Sequence, residues 1–310
     1  MEPADEKIAA ARLSVYSNGF LVALKLTVGL WMSSIGVISE ALHSGIDLVA
    51  AAIARYSVKK SSEPADDEHM YGHGKFENLS GMIEGTLIFA AAAGIIYEAF
   101  IRIVDKKAVE FLGAGMVVMA ISAGLNFYVA RRLWAVAEKT ESLALEADAY
   151  HHETDVWTSM GVFAALALIY ITGETMIDPV IGLVVAAFII YAAYDITRRS
   201  TEGLLDISLP DHEIKAIEKV MNAHSKDFVN FHRLRARRTG SERQIDLHVT
   251  VPRLLSVKEG HDLASHLEYE IRKELPGSVI IIHIEPCKED CEKCKLYNAD
   301  KAVFTGKSKE

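Results

Sequence analysis

The sequence predicts a multi-pass α-helical membrane protein of six transmembrane helices, followed by a C-terminal cytoplasmic α+β domain of element order α-β-β-α-β. Three observations lead there. Residues 111–130, 156–173 and 179–194 carry no charged side chain over 20, 18 and 16 positions, and a helix needs about 20 mostly apolar residues to cross the hydrocarbon core. The Lys and Arg residues between the apolar runs alternate in density from one loop to the next. After Asp206 the long apolar runs stop and shorter amphipathic and alternating patterns replace them. The expected organisation is a six-helix transmembrane domain over 1–206, a cytoplasmic α+β domain over 207–287, and a charged, Cys-containing tail over 288–310.

Taken in order, three further spans are apolar with isolated polar interruptions: 13–33 (Lys25), 36–56 (Glu40, His43, Asp47) and 79–101 (Glu84, Glu98). An ionisable side chain in lipid is costly, so these helices should turn their polar positions into the bundle. One side of the membrane collects Lys7, Arg12, Arg55, Lys59, Lys60, Lys75, Arg131, Arg132, Lys139, Arg198 and Arg199; the other has only Arg102, Lys106 and Lys107. That bias makes the first side, with both termini, cytoplasmic. No basic segment leads into an apolar one at the N-terminus, so no cleavable signal peptide is expected. Beyond Asp206, Leu209-Pro210-Asp211 reads as a helix start with Asp211 as N-cap, and Ile214, Ile217, Val220 and Met221 make its apolar stripe. Residues 229–238 and 243–251 read as strands joined by a turn at Arg238-Thr239-Gly240-Ser241. An amphipathic helix over 257–275 ends at Pro276-Gly277, a short strand over 279–284 follows, and the tail is expected to be loose.

The formal net charge of −9 argues against a nucleic-acid binder, whose footprint is a basic face. It is unevenly placed: residues 1–206 hold 15 Lys/Arg against 25 Asp/Glu, while 207–310 hold 18 against 17. Acidic excess therefore coincides with the apolar runs, a costly pairing that marks function. The three cysteines, Cys287, Cys291 and Cys294, lie within eight residues, give no disulfide framework and suit a reducing cytosolic face.

Within the second span His43 and Asp47 are four apart and share a helix face; His151 and Asp155 repeat the spacing on the fifth. Two such helices together supply two imidazoles and two carboxylates, a four-coordinate shell suited to Zn²⁺. The competing role for one such pair alone is an interhelical hydrogen bond or a proton relay. His152, Glu153 and Asp148 are expected behind those ligands or at an interface. In the loop after span two, Asp66, His69 and His73 have ligand-like spacing, with Gly72 and Gly74 between; a solvated polar loop is the alternative. In the C-terminal part, His232 and His248 fall on adjacent strands, His261 on the helix, and His283 and Glu285 on the last strand. Four histidines with a carboxylate suggest a site that senses or buffers metal, whereas His224 and His266 read as ordinary packing residues. The run Cys287-x3-Cys291-x2-Cys294 is only a weak zinc signal, with His283 as a conceivable fourth ligand.

Together His43-x-x-x-Asp47, His151-x-x-x-Asp155, Tyr71-Gly-His73-Gly-Lys75 and Ile282-His283-x-Glu285-Pro-Cys287 resemble the cation diffusion facilitator family, over residues 10 to 287. The resemblance implies a homodimer with six spans per subunit, a metallochaperone-like cytoplasmic domain over 207–287 for metal binding and dimerisation, and export of divalent metal from the cytoplasm in exchange for protons. It carries His43, Asp47, His151 and Asp155 over as the transport site, and Asp66, His69 and His73 as a loop site. His232, His248, His261 and His283 become a cytoplasmic binuclear site, with Glu285 where some members have Asp. Lys75 and Asp206 match a charge pair that ties membrane and cytoplasmic parts together in similar proteins. Mixed His/Asp transport sites in the family go with zinc, so Zn²⁺ is expected as both substrate and regulatory ligand, with Fe²⁺, Mn²⁺, Co²⁺ or Cd²⁺ as alternatives. The expected partners are a second copy of the chain, protons and the lipid bilayer of a cell (inner) membrane. An enzyme is not expected, because four side chains close the shell and no H-E-x-x-H occurs; a membrane-anchored sensor would leave the polar line through the membrane without purpose.

Overall fold

The computed structural model describes residues 3–31, 35–105, 113–174 and 176–288. Six long helices come first: α1 (Pro3–Trp31), α2 (Ile35–Ser61), α3 (Lys75–Asp105), α4 (Gly113–Thr140), α5 (Leu143–Thr172) and α6 (Ile177–Leu204). Then follow α7 (Asp211–Ala223), β1 (Asn230–Thr239), β2 (Glu242–Val251), α8 (Val257–Glu274) and β3 (Ser278–Pro286). The chain divides into two compact units, Met1–Leu205 and Asp206–Glu310. Cys291, Cys294 and the remainder of the tail lie outside the described residues, as do Lys106 and Lys107.

The regular secondary structure of the first unit is all helical among its described residues. By length and composition α1, α3 (over Lys75–Val104) and α6 are each long and apolar enough to cross a membrane. Their main pairings are α1 with α2, α3 with α6 and α4 with α5, and α5 also meets α2, α3 and α6. The α3–α6 pairing depends on small residues. A Cβ added to Gly81 or Gly85 would collide with Ser200 Oγ or Thr197 Oγ1 on α6, so the two glycines, four apart on one face, let the backbones close up.

Polar ties fix the ends. Glu77 is fully buried and accepts from Lys7 Nζ (2.8 Å), Ser61 Oγ (2.9 Å) and Ser142 Oγ (2.6 Å), joining α1, α2, α3 and the N-cap of α5. Arg199 on α6 pairs with Glu146 on α5. Near the other end of the helices, Arg102 donates to Asp178 Oδ2 at 2.6 Å.

In the second unit a three-stranded sheet runs in the order β1-β2-β3, with β1/β2 antiparallel and β2/β3 parallel. The parallel pair needs a crossover, which α8 supplies. Strict alternation along β2 buries Ile245, Leu247, Val249 and Val251 on one face, where they join Ile217 and Met221 of α7 and Leu267 and Ile271 of α8. The polar residues of β2, His248 among them, consequently point to the opposite face.

One helix start differs from expectation and another agrees with it. The N-cap of α7 is Pro210 rather than Asp211; Glu213 and Ile214 donate their backbone N–H to the Pro210 carbonyl, and Asp211 opens the first turn. A carboxylate there still meets the positive end of the helix dipole. Helix α8 begins on a capping box between Ser256 and Glu259, a signal present in the sequence.

Candidate metal centre

The two His-x-x-x-Asp pairs lie on α2 and α5, which pack against each other. His43, Asp47 and Asp155 each offer one ligand atom, and these atoms lie within 4.8 Å of one another. His151 joins them through Asp47, its Nε2 standing 3.0 Å from Asp47 Oδ1. Asp47 and His151 are buried, whereas His43 is exposed in this single chain. The structure thus brings all four residues to one locality, three as a ligand-spaced group and His151 by a hydrogen bond to it.

Around this group runs a line of buried polar side chains that sequence reasoning only partly found. Asn126 of α4 donates Nδ2 to Asp155 Oδ2 at 2.9 Å, and its Oδ1 lies 3.0 Å from His152 Nδ1. His152 Nε2 is 3.0 Å from Ser14 Oγ, which is also 3.0 Å from Asp148 Oδ1. His152 and Asp148 therefore lie behind the ligand-bearing face, as their helical positions suggest, and Asn126 and Ser14 join them from α4 and α1. One hint was available: Asn126 is an amide in an uncharged run otherwise almost wholly apolar. Two other buried ionisable side chains lie in the apolar spans. Lys25 Nζ donates to Ser44 Oγ (2.9 Å) and Glu40 Oε2 (3.2 Å), while both carboxylate oxygens of Glu84 are buried without a hydrogen-bond partner.

The loop residues Asp66, His69 and His73 also place their ligand atoms within 4.8 Å. Asp66 Oδ1 accepts from the backbone N–H of His69 (2.7 Å) and Glu68 (3.0 Å), and Oδ2 lies 3.2 Å from His73 Nε2. Those backbone donors, His69 first, hold the Asp66 carboxyl below the usual carboxylate range. His73 is buried beneath the exposed Asp66 and His69, so this loop is not uniformly solvated.

On the open face of the sheet, His232 pairs in register with His248, and His248 with His283, which lines three imidazoles across three strands. Glu285 gathers them: His248 Nδ1 stands 2.7 Å from Oε1, His232 Nε2 3.3 Å from Oε2, and His283 Nε2 3.8 Å from Oε1. The hydrogen bond from His248 is the chief reason the Glu285 carboxyl sits below its usual range. A register shift between His232 and Arg235, with Arg233 at φ 52°, marks a bulge beside this group, and bulges commonly re-aim side chains near sites.

His232, His248 and Glu285 form the ligand-spaced set. The expected convergence of four histidines is not seen within this chain. His261 is exposed on α8, whose apolar side packs on the other face of the sheet, and it is outside the ligand-spaced set. Cys287 follows β3 and lines a pocket with His232, Arg233 and Glu285. Lys75 Nζ donates to the Leu204 carbonyl at 3.3 Å, and Asp206 Oδ2 accepts from Arg237 at 2.8 Å, each within its own unit.

Residues 11–205 match the family model described as the cation efflux transmembrane domain, and 209–287 that of the cation efflux protein cytoplasmic domain. The chain belongs to the cation diffusion facilitator family. It is 36% identical over 279 residues to the uncharacterized transporter sll1263 of Synechocystis sp., covering 90% of each protein. It is 29% identical over 281 residues to the cation-efflux pump FieF of Yersinia pestis, covering 90% of this chain and 92% of that one. Among solved structures, the zinc transporter entitled CzrB in its Zn form matches at 28% identity and a TM-score of 0.26, over 27% of this chain and 94% of that one. As a member of the family the chain is a membrane-embedded cation efflux transporter with a cytoplasmic domain carrying a small sheet.

Proposed function

We propose that this chain exports Zn²⁺ from the cytoplasm in exchange for H⁺, by alternating access in a homodimer with six spans per subunit and cytoplasmic termini. The observation that carries this reading is the meeting of His43, Asp47 and Asp155 within 4.8 Å, with His151 bonded to Asp47. Imidazoles mixed with carboxylates favour Zn²⁺ over cations that prefer oxygen alone. The geometry also supports exchange. His151 Nε2 and Asp47 Oδ1 stand 3.0 Å apart in a hydrogen bond, and a protonated Nε2 cannot ligate a cation until that proton leaves. A metal entering from the cytosol displaces it; after the bundle opens outward, protons arriving at the imidazoles, whose ordinary pKa is about 6.5, compete the metal away.

Asp66, His69 and His73 are assigned as a loop metal site, and His232, His248, His283 and Glu285 as a cytoplasmic one, with His261 the remaining candidate. Zinc held in the cytoplasmic site would draw the two soluble domains of a dimer together and so bias the membrane unit toward transport. Competition flux across Zn²⁺, Fe²⁺, Mn²⁺, Co²⁺ and Cd²⁺ in proteoliposomes tests the substrate, with wild type set against His43→Asp. Zn²⁺ should lead in wild type, and the variant should shift toward oxygen-preferring ions. Identical selectivity in both would remove His43 from the choice of metal, and absence of any flux would leave only a sensor.

A further inference from the structure

Among the described residues, Asn126 bonds a side chain of the proposed transport group, and the exchange chemistry above does not use it. Its side chain is buried on α4, and it bonds two side chains of α5 at once, Asp155 through Nδ2 and His152 through Oδ1. An amide has distinct donor and acceptor ends, so the pairing fixes both neighbours. With Nδ2 given to the carboxylate, Oδ1 must accept, and His152 must present its N–H at Nδ1. Turning the amide over would set its oxygen against a carboxylate oxygen. His152 is held from behind by Ser14, and Ser14 by Asp148. Rotation of Asn126 therefore breaks two buried hydrogen bonds, each costly to leave unmade.

We propose that Asn126 is a positioning residue that sets cation selectivity by engaging one oxygen of Asp155 and leaving the other for the metal. The proposal rests on the transport-site assignment above. A carboxylate giving one oxygen beside imidazoles suits the compact four-coordinate shell of Zn²⁺. A carboxylate free to turn and give both oxygens suits cations that take more oxygen ligands, Mn²⁺ among them. Groups that orient a ligand from behind tune affinity without touching the ion, and Asn126 occupies that place here.

The test compares Zn²⁺ and Mn²⁺ uptake in proteoliposomes for wild type, Asn126→Asp, Asn126→Ala and Asp155→Ala. Asp155→Ala should carry neither cation; if it transports both as wild type does, the site assignment itself has failed. Asn126→Asp is nearly isosteric and keeps the acceptor for His152 but loses the donor to Asp155. Its KM for Zn²⁺ should rise about 10–100-fold, the usual cost of removing a group that orients a ligand. The Zn²⁺:Mn²⁺ ratio of kcat/KM should fall about tenfold or more. Melting temperature and elution volume report folding, and Asn126→Ala, which adds no charge, carries the same expected fall in ratio if Asn126→Asp does not fold. A merely structural role would lower both fluxes by one factor. An unchanged ratio with Asp155→Ala inactive overturns the positioning role and leaves the site standing.

Discussion

Replacing Asp47 separates the hydrogen bond its carboxylate makes from the ligation proposed for it. It is 3% exposed, and its Oδ1 lies 3.0 Å from His151 Nε2, while His151 Nδ1 is buried without a hydrogen-bond partner. Asp47→Ala therefore deprives the imidazole of the one bond that satisfies it. A buried polar group left unsatisfied costs about 1–3 kcal/mol, and each kcal/mol lowers the melting temperature of a large domain by roughly 2–4 °C. Asp47→Asn keeps the volume and a hydrogen-bonding oxygen, so its melting temperature should fall by much less. It loses the anionic ligand, however. Removing a group that merely orients a ligand costs about 10–100-fold, so removing the ligand's charge should lower Zn²⁺ kcat/KM by about 100-fold or more. The assay is Zn²⁺ entry into proteoliposomes holding a trapped fluorescent indicator, with thermal unfolding of the same preparations. A folded Asp47→Asn that transports within about threefold of wild type would show that this carboxylate is no ligand.

Three further outcomes are expected. Burial alone would raise the Glu213 carboxyl, but Arg243 (2.9 and 2.8 Å) and Arg238 (3.1 Å) outweigh it and hold it below its usual value. Its contribution is then present above the unfolded value of about 4.3 and lost as pH falls through the lower folded one. Amide exchange in α7 and β2 should show Glu213→Gln less stable than wild type by about 3 kcal/mol at neutral pH, with the gap closing below about pH 4. Gly85→Ala should destabilise the detergent-purified protein by about 1–3 kcal/mol, through collision with Thr197. Gly94→Ala, where a Cβ meets open space, should be neutral or stabilising on the same melting assay. Glu285→Ala, placed in the Asp155→Ala background, should weaken calorimetric Zn²⁺ binding at the cytoplasmic site by about tenfold or more, because His232 and His248 lose the carboxylate between them.

Local periodicity made much of this legible, and long-range placement hid the rest. The four-residue spacing of His43 with Asp47 and of His151 with Asp155 needs only helix geometry to be read correctly. The apolar span begins near residue 13 although α1 starts at Pro3, because Lys7 is charged yet faces the interior, where hydropathy does not register it. Asn126 reaches Asp155 only because α4 pairs with α5, a fact of tertiary packing. His261 went the other way. Its residue type suggests a ligand, and the crossover geometry of a parallel pair packs the apolar side of α8 on the apolar face of the sheet, so its place in the cytoplasmic group is not legible from one chain. The Asp211 cap failed because Pro210, with φ fixed and no N–H to satisfy, already ends the preceding extended segment at the helix start.

The carboxylates shielded in the membrane unit differ in their partners: some are matched by a fixed cation of the chain, whereas Asp47 and Asp155, like Asp148 and Glu84, are not. Glu77 has the ammonium of Lys7 at 2.8 Å and two serine hydroxyls; Asp178 has Arg102; Glu146 has Arg199. Each of these charges is matched by a fixed cation of the chain and serves to tie helices. Asp47 and Asp155 are matched differently. Among the described residues no Lys or Arg forms an ion pair with either; their bonds go to an imidazole and an amide, at 3.0 and 2.9 Å. An unpaired charge in such surroundings is expensive, and neutral or protonatable neighbours leave room for a cation that comes and goes. A fixed guanidinium here would stabilise the bundle and block the cargo. On the proposed transport site, the acidic excess of −10 over residues 1–206 includes, at Asp47 and Asp155, compensation left to the transported ion.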